Sequence, residues 1–119
     1  MDEITEALSS LMEQIPTARM AALLGMDGIG VQVVMGEPWS EAEAALLEVE
    51  LATLAEAVQR ACDRLGAGTA REFFLETARA TFLGTMLDRG YFLVLGLEGA
   101  ADLPQARAML AQARSKIGV

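Results

Sequence analysis

Hydrophobic positions along this chain alternate between two spacings, one typical of helices and the other typical of strands. Over residues 1–15 they recur every three or four positions, which predicts an amphipathic helix capped by Asp2 and ended by Pro16. The runs ARMAALLGM and IGVQVVM that follow are short and largely apolar, which predicts two strands. The apolar positions of the first helix are Ile4, Leu8, Leu11 and Ile15.

The segment between these strands, GMDGIG at residues 25–30, has three glycines in six positions. A phosphate-binding loop requires glycines that lead into a helix beginning with Lys and Ser or Thr. Here a β-branched run follows, and Lys116 is the only lysine of the chain. Asp27-Gly28 between two strands instead favours a two-residue type I′ hairpin turn, and Gly30 indicates a bulge or close packing. We therefore expect these glycines to turn the chain and to bind no ligand.

The segment from Ser40 to Gly66 predicts the longest helix, with Ser40 and Glu43 as a capping box and Gly66 just after its end. Its main apolar stripe, expected to face a sheet, consists of Leu47, Leu51, Leu54, Val58, Cys62 and Leu65. A second stripe lies on the opposite face and consists of Ala42, Ala45, Val49 and Ala52. The alanines of this stripe could be present only because alanine has the highest helix propensity, but valine is a mediocre helix former, so helix propensity does not explain Val49. Because small side chains let two helices approach closely, we predict that this stripe mediates self-association.

The remaining residues predict three antiparallel strands and a final helix. The strands are AREFFLE, ATFLGTML and YFLVLGLE, and the last is apolar on both sides, so we expect it in the middle of the sheet. A three-residue hairpin loop with Gly90 in the left-handed conformation precedes that last strand. Asp102 caps the final helix, with Gln105 three residues later. The predicted fold class is α+β, in the order α-β-β-α-β-β-β-α.

Composition narrows the partners that this chain can bind. A length of 119 residues and a mass of 12.7 kDa predict a single domain over residues 1–119. With 9 basic against 17 acidic residues, the net charge is −8, and no basic cluster favours nucleic acid or an anionic membrane. No apolar run approaches the ~20 residues of a membrane span. The acidic N-terminal segment does not resemble a signal peptide, so we expect a cytoplasmic location.

The side chains that most enzymes and metal sites require are scarce. The chain has no histidine, which excludes Ser-His-Asp catalysis and histidine-based metal sites. Cys62 is the only cysteine, which excludes an internal disulfide and a thiolate cluster. The acidic residues of the long helix are interpreted as a solvated surface rather than as paired catalytic acids. These absences exclude most classes of enzyme, and we expect no metal and no cofactor.

The order of elements, the hairpin MAALLGMDGIGVQVV, the long helix from Ser40 and the strand YFLVLGLE resemble the roadblock/dynein light chain family over nearly the whole chain. This resemblance implies a profilin-like five-stranded antiparallel sheet, with the two terminal helices on one face and the long helix on the other. It also implies a homodimer formed by the long helix and the third strand, whose apolar edge would otherwise be exposed. The residues expected at that interface are Ala42, Ala45, Val49, Ala52, Glu72, Phe73, Phe74 and Leu75.

Bacterial members of this family are regulators or scaffolds of small Ras-like GTPases, including the activator of the gliding-motility GTPase. The resemblance therefore implies a non-catalytic homodimeric regulator or scaffold of such a GTPase. Arg60 and Arg64 could in principle act as an arginine finger that stabilises the transition state of a partner's GTP hydrolysis. Other roles fit them better, because Arg60 can form an ion pair with Glu56 four residues earlier and Arg64 lies in the last turn of the helix. The surface expected to contact the partner is the flank of the long helix that carries Glu41, Glu48, Glu56, Gln59 and Asp63.

A ligand-sensing or adaptor module of the PAS or profilin-like type is the alternative that the sequence leaves open. Such a module requires an interior pocket with a few convergent polar groups. The predicted interior offers few of them, chiefly Thr81, Thr85 and Tyr91.

Overall fold

Three helices and five strands follow one another in the order that the hydrophobic pattern predicts. The computed structural model describes residues 2–37, 39, 41–99 and 102–117. The helices are α1 (Glu3–Gln14), α2 (Glu41–Leu65) and α3 (Leu103–Ile117). The strands are β1 (Ala18–Gly25), β2 (Gly30–Met35), β3 (Glu72–Glu76), β4 (Ala80–Met86) and β5 (Tyr91–Glu98).

The strands form one antiparallel sheet of five, in the order β2-β1-β5-β4-β3. β5 lies in the centre, and Phe92, Leu93, Val94 and Leu95 are fully buried. This confirms the central position that its apolar run predicts, because both faces of a middle strand are covered. β2 and β3 are the two edge strands, so each has one side that is not paired with another strand within the described residues.

The helices are divided between the two faces of the sheet, as the family resemblance implies. α1 and α3 pack together on one face, where Leu8 and Leu110 meet Leu93 and Leu95 of the sheet. α2 covers the opposite face with a cluster of its own, which includes Leu51, Ala55, Met20, Phe92 and Val94. The molecule therefore has three layers with a separate apolar core on each side of the sheet.

Caps hold the helix ends where the sequence predicts them. The Asp2 carboxylate accepts a hydrogen bond from the Thr5 N–H (2.7 Å), and this bond lowers the pKa of Asp2. The Asp102 carboxylate accepts one from the Gln105 N–H (3.1 Å). Gly66 follows α2 with a φ of 64°. The predicted capping residue Ser40 lies outside the described residues.

The first hairpin turn differs from the predicted two-residue type I′ turn. That turn requires a positive φ at both Asp27 and Gly28, whereas Arg89 is the only described residue other than glycine with a positive φ. The Gly28 N–H donates to the Gly25 C=O (3.0 Å), and the Asp27 carboxylate accepts from the Ile29 N–H (3.0 Å). The loop is therefore a three-residue one that ends on left-handed Gly28, because the Asp27 side chain stabilises a local turn of its own.

The type I′ pattern occurs instead between β4 and β5. Arg89 (φ 64°) and Gly90 (φ 78°) are both left-handed, and the Tyr91 N–H donates to the Asp88 C=O. The predicted left-handed conformation of Gly90 is confirmed, whereas the predicted three-residue loop is wrong, because Arg89 is left-handed as well and the turn has two residues. The Met26 N–H donates to the Gly90 C=O (2.9 Å), which ties the two turns together at one end of the sheet.

Two glycines of the sheet make room for aromatic rings on the α2 face. Trp39 lies against Gly96, where a Cβ would fall 2.9 Å from its ring, and it stacks on Phe82 with centroids 5.8 Å apart. Phe73 covers Gly84 in the same way, so that a Cβ there would collide with its ring. These rings cover parts of the sheet that a single helix leaves open.

Candidate interaction surfaces

The outer face of α2 carries an apolar patch. Leu46 is 62% exposed and Val49 is 52% exposed, and Ala45 beside them is exposed as well. Leu46 was not predicted, although it lies three residues before Val49 and therefore on the same helical face. We call Ala45, Leu46 and Val49 the helix patch. The side chain of Ala42, the fourth residue expected here, lies outside the described part of the chain.

Two positions of α2 point in directions that the sequence did not predict. Ala52, expected on the outer stripe, is only 3% exposed and belongs to the core beneath α2. It lies one residue after Leu51 and three before Ala55, so it shares the buried side of the helix with both. Leu65, expected to face the sheet, is exposed because it is the last residue of the helix and lies beyond its packed part.

The edge strand β3 exposes apolar side chains on both faces of the sheet. Phe74 is 48% exposed and is paired in register with Leu83, on the face of α1 and α3. Leu75 is exposed on the α2 face beside Phe82. Phe73 is buried, with its ring 6.2 Å from that of Phe92, so mainly its backbone remains for pairing with another strand.

The residues expected to contact a partner lie on one flank of α2. At 100° per residue, positions 48, 56, 59 and 63 span about 80° of the helix surface. Glu56 pairs with Arg60 (3.0 Å), as predicted, and Asp63 accepts a hydrogen bond from the Gln59 amide (2.9 Å). The side chain of Glu41 lies outside the described residues.

Two of these residues have structural contacts that the sequence did not reveal. The Gln59 side-chain oxygen accepts from the Ala70 N–H (2.9 Å), which fastens the loop between α2 and β3 to the helix. The Glu48 carboxylate lies against Gly30, where a Cβ would collide with it. The β1–β2 register shifts there, between Leu23 and Leu24. Gly30 thus combines the bulge and the close packing that its position predicts.

The polar groups considered for an interior ligand site do not converge. Thr81 and Thr85 are four residues apart on β4, which corresponds to about 13 Å. The Thr85 hydroxyl donates to the Arg71 C=O (3.5 Å), and Tyr91 packs against the core of α1 and α3. Within the described residues, no buried polar side-chain atom lacks a hydrogen-bond partner.

Two further kinds of feature are absent from the described part of the chain. No group of three or more acidic, histidine or cysteine side chains there is arranged to hold a metal ion. No helix there is long and apolar enough to span a membrane.

Comparison with known proteins identifies the fold. No protein-family model matches the sequence, and no curated protein matches it significantly. Among solved structures, the Roadblock/LC7 domain from Streptomyces avermitilis superposes with a TM-score of 0.85 and 19% identity, over 95% of this chain and 92% of that one. MglB from Myxococcus xanthus superposes with a TM-score of 0.84 and 16% identity, over 97% of this chain and 91% of that one. Profilin II from Acanthamoeba castellanii superposes with a TM-score of 0.59 and 15% identity, over 92% of each chain. The chain therefore has the profilin-like fold of the Roadblock/LC7 domains.

Proposed function

We propose that this protein is a non-catalytic homodimeric regulator or scaffold of a small Ras-like GTPase. The observation that carries the proposal is that a chain with the roadblock fold has both an exposed apolar helix patch and an apolar edge strand. The fold likeness to MglB and the family resemblance of the sequence support the GTPase as partner. The proposed complex is cytoplasmic.

In the proposed dimer, two copies of β3 pair edge to edge and two copies of α2 pack antiparallel. Strand pairing satisfies the row of N–H and C=O groups that an edge strand exposes. The helix contact removes Leu46 and Val49 from water in both copies, and burial of each such side chain stabilises the complex by about 1.5–3 kcal/mol. The same symmetric contact brings Phe74 and Leu75 of the two copies together at the joined edges.

The GTPase is proposed to bind across the flanks of the two α2 helices, near Glu48, Glu56 and Asp63. These acidic residues fit a basic patch on the partner, which would accelerate encounter and make the on-rate fall with added salt. A partner that lies across the two-fold axis occupies both copies of the flank, so one GTPase binds per dimer. An effect on GTP hydrolysis would come from reshaping the partner's own active site.

The test is a pull-down from the native cytoplasm, followed by calorimetry on the GTPase recovered. Preference for a non-hydrolysable GTP analogue over GDP identifies an activator, and equal binding of both forms identifies a scaffold. The variant Glu56→Lys combined with Asp63→Lys should weaken binding, whereas Glu13→Lys on α1 should not. Recovery of only a receptor kinase or a metabolite would contradict the proposal and favour the sensing module.

A further inference from the structure

The three helices differ sharply in charge. α1 has three acidic residues and no basic one, and α2 has six acidic residues and two basic ones. α3 has three basic residues, Arg107, Arg114 and Lys116, and no acidic one. The protein has a net charge of −8, and α3 is the positively charged one of these three helices.

A groove runs between α3 and the edge strand β3. α3 packs over β4 and β5, so the side of β3 that faces the α3 layer stays uncovered. Its walls are lined by Arg71, Arg107 and Arg114 together with Glu72, and its volume is about 240 Å³. Leu83 and Leu110 lie at its base and are buried. We call it the arginine groove.

The groove opens into a wider cleft, of about 930 Å³, between the α2–β3 loop and the β4–β5 turn. Arg71 and Arg114 line both spaces, so the two adjoin each other. The exposed ring of Phe74 lies beside the groove, because Phe74 is paired in register with Leu83. The two spaces together are lined by three arginines and by the carboxylates of Glu72 and Asp88.

Two of the three arginines of the groove are not neutralised by an ion pair among the described residues. Arg107 pairs with Glu72 (2.5 Å), but Arg71 and Arg114 have no ion pair within the described residues. The backbone of Arg71 is held in place, since its C=O accepts from the Met86 N–H (2.8 Å). Two guanidinium groups thus remain available for an external carboxylate, for which arginine has a matching planar fork of donors.

We infer that the arginine groove binds an acidic, amphipathic segment of a partner polypeptide. Its apolar side chains would contact the exposed Phe74 and Ala111, and its carboxylates would pair with Arg71 and Arg114. An anionic membrane fits less well, because a flat surface over α3 would also meet Glu3, Glu6 and Glu13 of α1 on the same face of the sheet. A segment narrow enough to lie between α3 and β3 avoids those carboxylates.

This site lies on the sheet face opposite to the acidic flank of α2. The two surfaces are opposite in charge, so a basic partner on α2 and an acidic segment on α3 do not compete. The protein would then hold two different partners at once, which goes beyond the function proposed above.

The test uses two labelled synthetic peptides of about 14 residues, roughly 21 Å as a helix. Both carry Leu at three- and four-residue spacing, and the remaining positions are rich in Glu in one peptide and in Lys in the other. Fluorescence anisotropy on the full chain should show about tenfold tighter binding of the Glu peptide. Its affinity should fall between about 50 mM and about 200 mM salt.

The matched variants are Arg114→Glu and Arg64→Glu. Both arginines lie in the last turn of a helix, so the two substitutions change the charge equally and disturb the helix end alike. Arg114→Glu should weaken binding of the Glu peptide about tenfold or more, while Arg64→Glu should leave it within about twofold. If circular dichroism shows that Arg114→Glu is unfolded, Arg71→Gln takes its place.

Three results would overturn the inference. They are equal binding of the two peptides, no binding of the Glu peptide up to about 1 mM, and an unchanged affinity in a folded Arg114→Glu variant. A parallel experiment measures binding of the protein to vesicles of phosphatidylglycerol and phosphatidylcholine. Vesicle binding that depends on Arg114, without binding of the Glu peptide, would assign the groove to a lipid surface instead.

Discussion

At the scale of single residues, glycine lets two aromatic rings lie directly against the sheet. Gly96 lies beneath the ring of Trp39 and Gly84 beneath the ring of Phe73, so each aromatic side chain rests directly on the backbone of the sheet. The sequence shows these glycines only as interruptions of apolar strands. The reason for them depends on which ring crosses which strand, and that is set by the tertiary fold.

Gly96→Ala should destabilise the fold and displace Trp39. The added methyl would lie 2.9 Å from the indole ring, and such overpacking costs about 1–3 kcal/mol. Trp39 is the only tryptophan, so its fluorescence reports the displacement directly, together with a lower melting temperature. The control is Gly36→Ala, where the one close contact of the methyl is with the flexible end of Met12 (3.1 Å). Equal melting temperatures of the two variants would contradict this account.

Gly28 is expected to be required for the conformation of the β1–β2 turn and not for binding a ligand. Its φ of 88° is unfavourable for other residues by about 1–2 kcal/mol, and more for a β-branched one. Gly28→Val should therefore lower the melting temperature more than Gly28→Asn, because asparagine tolerates the left-handed region. GTP and ATP should leave the melting temperature of the native protein unchanged. A clear stabilisation by either nucleotide would restore the interpretation as a phosphate loop.

At the scale of elements, hydrophobic spacing was sufficient for the number, type and order of helices and strands. It was less informative about how α2 docks on the sheet. Ala52 looks like part of an outer stripe, yet its small side chain lies with Ala55 in the core. Spacing shows which residues share a helix face, whereas the rotation of that face depends on what the sheet presents to it.

Contacts distant in sequence were also beyond prediction. Gln59 looks like one more polar residue of an exposed helix, and nothing in its neighbourhood indicates the hydrogen bond to Ala70 in the next loop. The two turns show a related limit. Asp-Gly predicted a type I′ turn, but the Asp27 side chain stabilised a different loop, and the type I′ pattern arose at Arg89 and Gly90.

The orientation of α2 on the sheet predicts that substitution by Asp affects stability strongly at Ala52 and little at Ala45. Ala52→Asp should unfold or strongly destabilise the protein, because it places an unpaired carboxylate in the core. Ala45→Asp should leave the fold intact, since Ala45 is exposed. Thermal melting followed by circular dichroism distinguishes the two. A similar loss of stability in both variants would show that α2 is not oriented as described.

At the scale of the whole molecule, the surface divides into regions with different chemistry. The helix patch and the β3 edge are apolar, the flank of α2 is acidic, and the arginine groove on the other face of the sheet is basic. A chain of this size with separate apolar, acidic and basic surfaces is suited to holding proteins together. Self-association is the step on which the proposed partner surface depends, because that surface spans two copies of α2.

Light scattering after gel filtration tests that step most directly. The native chain should give about twice its mass of 12.7 kDa. Val49→Asp should give the mass of one chain while keeping the native circular dichroism, because it places two carboxylates at the contact between the α2 helices. Ser115→Asp, an equal change of charge on exposed α3, should remain a dimer. A native protein that stays a folded monomer at high concentration, or a Val49→Asp variant that stays a dimer, would contradict the account.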